Sequence, residues 1–189
     1  MTTTALIAEL VIGGIQTLGW FALLAMLWIP PARLITVIRT LNATEGVLLF
    51  VLAYGTGVVF DRLWDALLYP YHRHIKARAL KKPGMIPKFR FLLFSGDPVR
   101  ANFMEYLRSR MRVARSTLCN SAMAALIAAI VWQLRRTEPW SLWLALVGSF
   151  FAILALVSVY AFQNITRHYY EALEGFATAP TTHANPPAR

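Results

Sequence analysis

Residues 116–134 read STLCNSAMAALIAAIVWQL, nineteen consecutive positions without a formal charge. A helix needs roughly 20 mostly apolar residues to cross about 30 Å of hydrocarbon, and this stretch meets that requirement. Working backwards from Ser116, nothing breaks a helix until Asp97-Pro98, an N-cap residue followed by proline at the first helical position. Forwards, the pattern holds until Thr137. At 1.5 Å per residue this predicts one helix of roughly 60 Å. Its second half would lie in the bilayer, and the charged half from Pro98 to Arg115 would stand clear of it.

Three further apolar blocks accompany it. The first runs from Ala5 to Ile29 and is stopped by Pro30-Pro31, since proline cannot continue a helix. Residues 32–41 place Leu34, Ile35, Val37, Ile38 and Leu41 among Arg33 and Arg39, a spacing that suits a short helix lying in the interface plane. Asn42, followed three residues later by Glu45, is a capping-box start for the second span. That span is apolar from Gly46 to Phe60, and its helical pattern runs on to about Tyr69, before Pro70. The last block runs from Trp140 to about Gln163. Between the second and third spans the chain is basic and interrupted by Pro83-Gly84 and Pro87, with Lys88-Phe89-Arg90-Phe91 readable as a short strand or an interfacial strip. The tail from Thr178 is rich in Pro, Thr and Ala, a composition that favours disorder. The expected organisation is residues 1–69 for two spans and the interfacial segment, 70–115 for a basic segment and helix extension, 116–166 for two more spans, and 167–189 for a tail.

Of the 189 residues, 57% are of hydrophobic type, above the 45–50% usual for soluble domains. Four spans leave no room for a soluble domain of ordinary size. Met1 to Thr4 carry no Lys or Arg, and Ala5 to Ile29 is too long for a signal-peptide core, so the first block is expected to stay as an anchor. The single cysteine, Cys119, excludes an intramolecular disulfide framework and reads as a small packing residue. The formal charge is +10. Twelve Lys or Arg lie between Arg73 and Arg115, with Arg167 on the same side, against Arg33, Arg39, Arg135 and Arg136 on the other. The positive-inside rule then predicts an all-α membrane protein of four transmembrane helices, both termini cytoplasmic, with the third helix extended into the cytoplasm. A bacterial inner membrane is the expected location, with anionic lipids against the basic side.

Polar residues inside the spans are the first functional candidates. Glu9 lies about one turn into the first span, and Gln16, seven residues on, shares its face. Intramembrane carboxylates are costly and usually face a bundle interior or a wet cavity. Ala8-Glu9-Leu10-Val11-Ile12-Gly13 locally resembles the first helix of the small multidrug transporters, which carries an essential glutamate. The resemblance implies a proton- or cation-binding Glu9. It covers a few residues, and those transporters are shorter and have no long basic loop. The simpler reading places Glu9 at the interface or bonded to a neighbouring helix, with Gln16 and Thr17 in interhelical hydrogen bonds. Asn120, in the third span, is read as a polar crosslink at an oligomer contact.

Asp61, Arg62 and Asp65 mark the charged end of the second helix. The two carboxylates point the same way, being four residues apart. Arg108, Arg112 and Arg115 are spaced by four and three on the third helix, so a charge ladder between the two helices is expected. Arg110 points elsewhere. Arginine suits bidentate capture of phosphate or carboxylate, which makes Arg108, Arg110, Arg112 and Arg115 the candidate site for an anionic ligand or protein partner. Ordinary attraction to anionic lipid explains the same run more simply, at roughly 1 kcal/mol per basic residue. His72 and His74 are two apart, a weak metal signal.

Small residues (Ser116, Asn120, Ala124 and Ala128 on the third span; Gly148 and Ala152 on the fourth; Gly55 and Gly57 on the second) allow close helix approach, within the chain or between copies. Phosphate loops, nucleophile elbows, zinc spacings and haem motifs are absent from the sequence, so no enzyme, cofactor or metal is expected. No nucleic-acid-binding module is present, and nucleic acid is not an expected partner. The expected function is a homo-oligomeric membrane sensor or effector. Its basic helix would receive an anionic signal and alter the bundle, giving an ion leak or membrane-integrity response of the stress or phage-defence type. The alternatives are an accessory subunit of a larger membrane complex and a proton-coupled transporter using Glu9.

Overall fold

The computed structural model describes residues 3–80 and 98–178. They form five helices: α1 (Thr3–Ala25), α2 (Pro31–Thr40), α3 (Ala43–Ala79), α4 (Pro98–Leu134) and α5 (Ser141–Thr178). There is no strand among the described residues. Four of the five are long and apolar enough to cross a membrane. The Lys88–Phe91 stretch and the Asp97 cap lie outside the described residues.

Helix ends follow local chemistry. After Ala25 the chain tightens into i→i−3 turns at Met26, Leu27 and Trp28, earlier than the expected stop at Ile29, because Pro30 disfavours helical geometry in the residues before it. α2 buries none of its residues, as a helix resting on an interface should. α3 opens with the full capping box: Glu45 N–H donates to Asn42 Oδ1 at 2.9 Å, and Asn42 N–H to Glu45 Oε2 at 2.8 Å.

Two helices run further than their sequence patterns suggested. α3 passes through Pro70 and continues to Ala79. An interior proline usually costs about 3 kcal/mol, since it removes one backbone bond and crowds the preceding turn. Here the carbonyl that loses its donor belongs to Ala66, which is exposed. Tyr71 and His72 just beyond pack on Phe162 of α5. α5 continues past Gln163 to Thr178, and its last turns bury Tyr169, Tyr170 and Leu173.

The four long helices form a ring in the order α1, α3, α5, α4, with α1 against both α3 and α4 and α5 packed along α4. Two apolar clusters hold it. One, at the end where α1 finishes and α5 begins, joins Trp20 and Leu23 to Ala124, Ile127, Ala128, Val131 and Leu144. The other, at the charged end, joins Leu80, Met104, Tyr169, Tyr170 and Leu173. α1 and α3 cross at backbone distance. A methyl on Gly14 would stand 1.6 Å from the Ala53 carbonyl oxygen, and one on Gly57 would stand 1.9 Å from the Leu10 carbonyl oxygen. A methyl on Gly148 would meet Ala128 Cβ at 3.3 Å, whereas Gly55 faces open space. The outer faces of α3 and α5 leave Val47, Val51, Val59, Phe150, Ile153 and Leu156 more than half exposed, as lipid-facing residues would be.

Candidate functional site

Between the two apolar clusters lies a polar layer, assembled by α1 and α4 on one side and by α3 on the other. Along the α1–α4 contact, polar groups meet in successive turns. At the charged end, Glu9 accepts a hydrogen bond from Ser109 Oγ and lies 3.5 Å from Arg112 Nη1. One turn further in, Gly13 leaves room for Ser116, whose Oγ would be 2.7 Å from a methyl placed there. Gln16 Nε2 then donates to Thr117 Oγ1 at 3.2 Å. At the centre sits Asn120, 1% exposed. Its Oδ1 accepts from Trp20 Nε1 at 3.1 Å and lies 3.1 Å from the Thr17 hydroxyl. Its amide nitrogen is within 3.1–3.4 Å of Ser116 Oγ, the Gly13 carbonyl and Gln16 Oε1. Asn120 therefore knits α1 to α4 inside one chain; it is not exposed for a contact between copies.

The expected ladder between α3 and α4 is carried by Arg115 alone. Its Nη2 donates to Asp61 Oδ1 at 2.6 Å, and its Nη1 forms an ion pair with Asp65. Its Nε is buried without a partner among the described residues. Arg112 turns to Glu9 on α1 instead, and Arg108 reaches the Tyr169 hydroxyl at 3.5 Å. The three arginines occupy different heights on α4, about 4.5 and 6 Å apart along its axis, and only the innermost is level with the aspartates. Arg110 lies on the exposed side with its guanidinium 4.8 Å from the Tyr106 ring centre.

Where α3 and α4 separate, a cavity of about 580 Å³ opens among all four long helices, within the roughly 300–1,000 Å³ usual for small-molecule sites. α1 contributes Leu6 and Leu10. α3 contributes Val58, Asp61, Arg62, Asp65, Leu68 and His72. α4 contributes Arg108, Met111, Arg112 and Arg115, and α5 Phe162, Tyr169 and Tyr170. Three of the four arginines singled out from the sequence line this cavity; Arg110 does not, and Arg62 takes the fourth place. Counting Glu9, which holds Arg112, four guanidiniums face three carboxylates, an excess of one positive charge. Neither Arg62 nor Arg108 has an ion-pair partner among the described residues. Tyr170 hydroxyl and His72 Nε2, 3.2 Å apart, close the wall between α3 and α5. A second groove of about 690 Å³ on the far side of that wall is lined by Tyr71, His74, Arg78, Gln163, Asn164 and Arg167, among others.

Among the described residues no three His, Cys, Asp or Glu side chains converge on one point. Asp61 and Asp65 are committed to Arg115, and Cys119 is buried in the α4 packing face. The residues that the sequence reading missed are Ser109, Thr117, Tyr169 and Tyr170. Ser109 and Thr117 look like ordinary helix residues until α1 is laid beside them. The α5 pair carried a readable signal: Thr166, Tyr169, Tyr170 and Leu173 recur at i, i+3, i+4 and i+7. No family model, curated protein or solved structure matches the chain.

Proposed function

We propose that this chain is a membrane receptor, both termini cytoplasmic, that senses an anionic ligand in the four-helix cavity and answers by rearranging α1. The observation that carries the reading is the pair Arg62 and Arg108, two guanidiniums that line the cavity and make no ion-pair contact among the described residues. Arg115 and Arg112 are engaged by Asp61, Asp65 and Glu9, whereas Arg62 and Arg108 line the cavity without a carboxylate at ion-pair distance among the described residues. The excess of Lys and Arg around this end supports a cytoplasmic orientation.

The response follows from Glu9. Its carboxylate holds Arg112, which lines the same cavity as Arg62 and Arg108, so an anion bound at that pair also draws on Arg112 and competes with Glu9. Once displaced, Glu9 no longer ties the first turns of α1 to α4, and the polar seam through Gln16, Thr17 and Asn120 loses its outer lock. A seam of polar groups parting within the bilayer admits water and ions, which gives an ion leak or a membrane-integrity response. Glu9 facing Ser109 and Arg112 supports an internal counter-ion in preference to a proton-transfer site. Assembly of several copies through the outward faces of α3 and α5 belongs to the same proposal, with an accessory role in a larger complex as its competitor.

The test is ion flux from liposomes holding the full chain, with inorganic pyrophosphate and a nucleoside triphosphate as soluble probes and vesicles of neutral or acidic lipid. The proposal expects flux that rises with one of these anions and is lost in an R62Q/R108Q variant. Vesicles that stay tight under all of them, with native mass showing stoichiometric foreign subunits in the host membrane, would turn the assignment to the accessory role.

A further inference from the structure

The cavity walls alternate two chemistries that few ligands satisfy together. Its polar lining includes Arg62 and Arg108, neither with an ion-pair contact among the described residues, and the hydroxyl of Tyr169. Its apolar lining includes Leu10, Val58, Met111 and Phe162. A wholly polar polyanion would satisfy the guanidiniums but leave the apolar wall against its own polar surface. A neutral lipid would cover the apolar lining but offer the two guanidiniums no anionic acceptor.

Resting on the receptor reading above, we infer that the ligand is a phosphate-bearing membrane amphiphile, held with its phosphate between Arg62 and Arg108 and one acyl chain along the apolar wall. Phosphate fits better than carboxylate because Arg62 and Arg108 project from different helices. A carboxylate offers one planar edge to a guanidinium fork, whereas the tetrahedral oxygens of phosphate accept from two directions at once. The cavity has a side entrance suited to such a molecule. Arg62 is exposed, and Asp65 beside it has 58% of its side chain exposed, so the polar mouth opens along α3. Val58, one turn along α3 toward the membrane, continues into the outer apolar face that bears Val59 and Val51. A lipid can enter sideways, head at the charged layer and chain toward the hydrocarbon, without leaving the bilayer. Basic pockets between transmembrane helices on the cytoplasmic side are established places for acidic head groups.

This differs from general attraction to an acidic surface, which every basic residue shares, and Arg110 separates the two. It lies on the same helix and is exposed, yet it does not reach the cavity. The experiment is native mass spectrometry and tryptophan fluorescence on the delipidated full chain in neutral nanodiscs. The titrants are a short-chain phosphatidic acid, the matching neutral diacylglycerol, and glycerol phosphate as the headgroup alone. The expected result is one phosphatidic acid retained per chain, at least tenfold weaker in R62Q/R108Q and unchanged in R110Q. Loss of equal size in R110Q would reduce the binding to surface attraction and overturn the inference. Glycerol phosphate binding as tightly as the lipid would overturn it too, by assigning the site to a soluble anion, while leaving the receptor reading in place. Failure of all anions, soluble and lipid, would remove both.

Discussion

Arg112 Nη1 lies 3.5 Å from Glu9 Oε2, joining the first turns of α1 to the charged half of α4. With the Ser109 hydroxyl on the other carboxylate oxygen, Glu9 closes the open end of a polar seam that reaches Asn120 at mid-bundle. Its side chain is 11% exposed and that of Arg112 29%, so the contact is sheltered without being dry.

Replacing Glu9 by Gln should loosen that end and mimic the ligand-bound state. Hydrogen bonds to charged groups are worth about 1.5–3 kcal/mol, and partial exposure places the expected loss near the lower figure. Liposomes carrying E9Q should leak without any anion present. If E9Q vesicles stay as tight as wild type, Glu9 is not the lock; if they lose a coupled uptake that wild type performs, Glu9 is a transport site.

Asn120→Leu should destabilise the monomer fold without changing the number of copies in the assembly. The substitution strands Trp20 Nε1 in a buried place and leaves the Thr17 hydroxyl only its bond to the Gly13 carbonyl. Single interhelical hydrogen bonds in membranes average about 0.6 kcal/mol, and the stranded indole donor raises the expected total to about 2 kcal/mol. Unfolding in mixed micelles gives the first quantity and native mass the second. A fall in copy number at unchanged stability would return Asn120 to an interface between chains.

Glycine substitutions should divide sharply by position. Gly14→Leu or Gly57→Val drives a side chain into the facing backbone of Ala53 or Leu10, and overpacking of this kind costs about 1–3 kcal/mol or more. Gly55→Ala meets nothing within 4 Å and should be neutral or stabilising, by up to about 1 kcal/mol, because alanine restricts the unfolded backbone. Thermal midpoints of the three variants in one detergent check the contrast, and a Gly55→Ala loss as large as the others would refute the packing geometry.

Arg115→Met should be among the most damaging single changes at the charged layer, since it leaves Asp61 and Asp65 facing each other uncompensated. Breaking a buried pair typically costs 3–5 kcal/mol, and the 58% exposure of Asp65 brings the expectation to about 2 kcal/mol. Adding Asp61→Asn should recover part of that loss. A double-mutant cycle measures the coupling, and strictly additive losses would show that Arg115 and Asp61 do not act as a pair.

The length and apolar character of residues 116–134, and of the three blocks like it, determined from sequence alone that four helices can span a bilayer. Hydrocarbon admits only helices or closed barrels for a backbone that must satisfy its own hydrogen bonds, and uninterrupted apolar runs of this length suit the helix. Local chemistry was equally readable at Asn42 and Glu45, where both partners of the capping box lie within one turn. The tertiary structure decided which charges meet. Glu9 and Arg112 are 103 residues apart in the chain, and Arg115 and Asp61 are 54 apart. Spacing along α4 could align Arg108, Arg112 and Arg115 on one face, but it carried no information about which neighbouring helix stood at each height. The same limit hid the cavity. Its walls come from four helices, and its existence depends on α3 and α4 parting above Arg115, a matter of crossing geometry set by Gly14 and Gly57 and by the Tyr71–Phe162 contact. The extension of α5 lay between these cases: its apolar period was in the sequence, yet the partner that makes Tyr169 and Leu173 worth burying was visible only once Met104 of α4 was beside them.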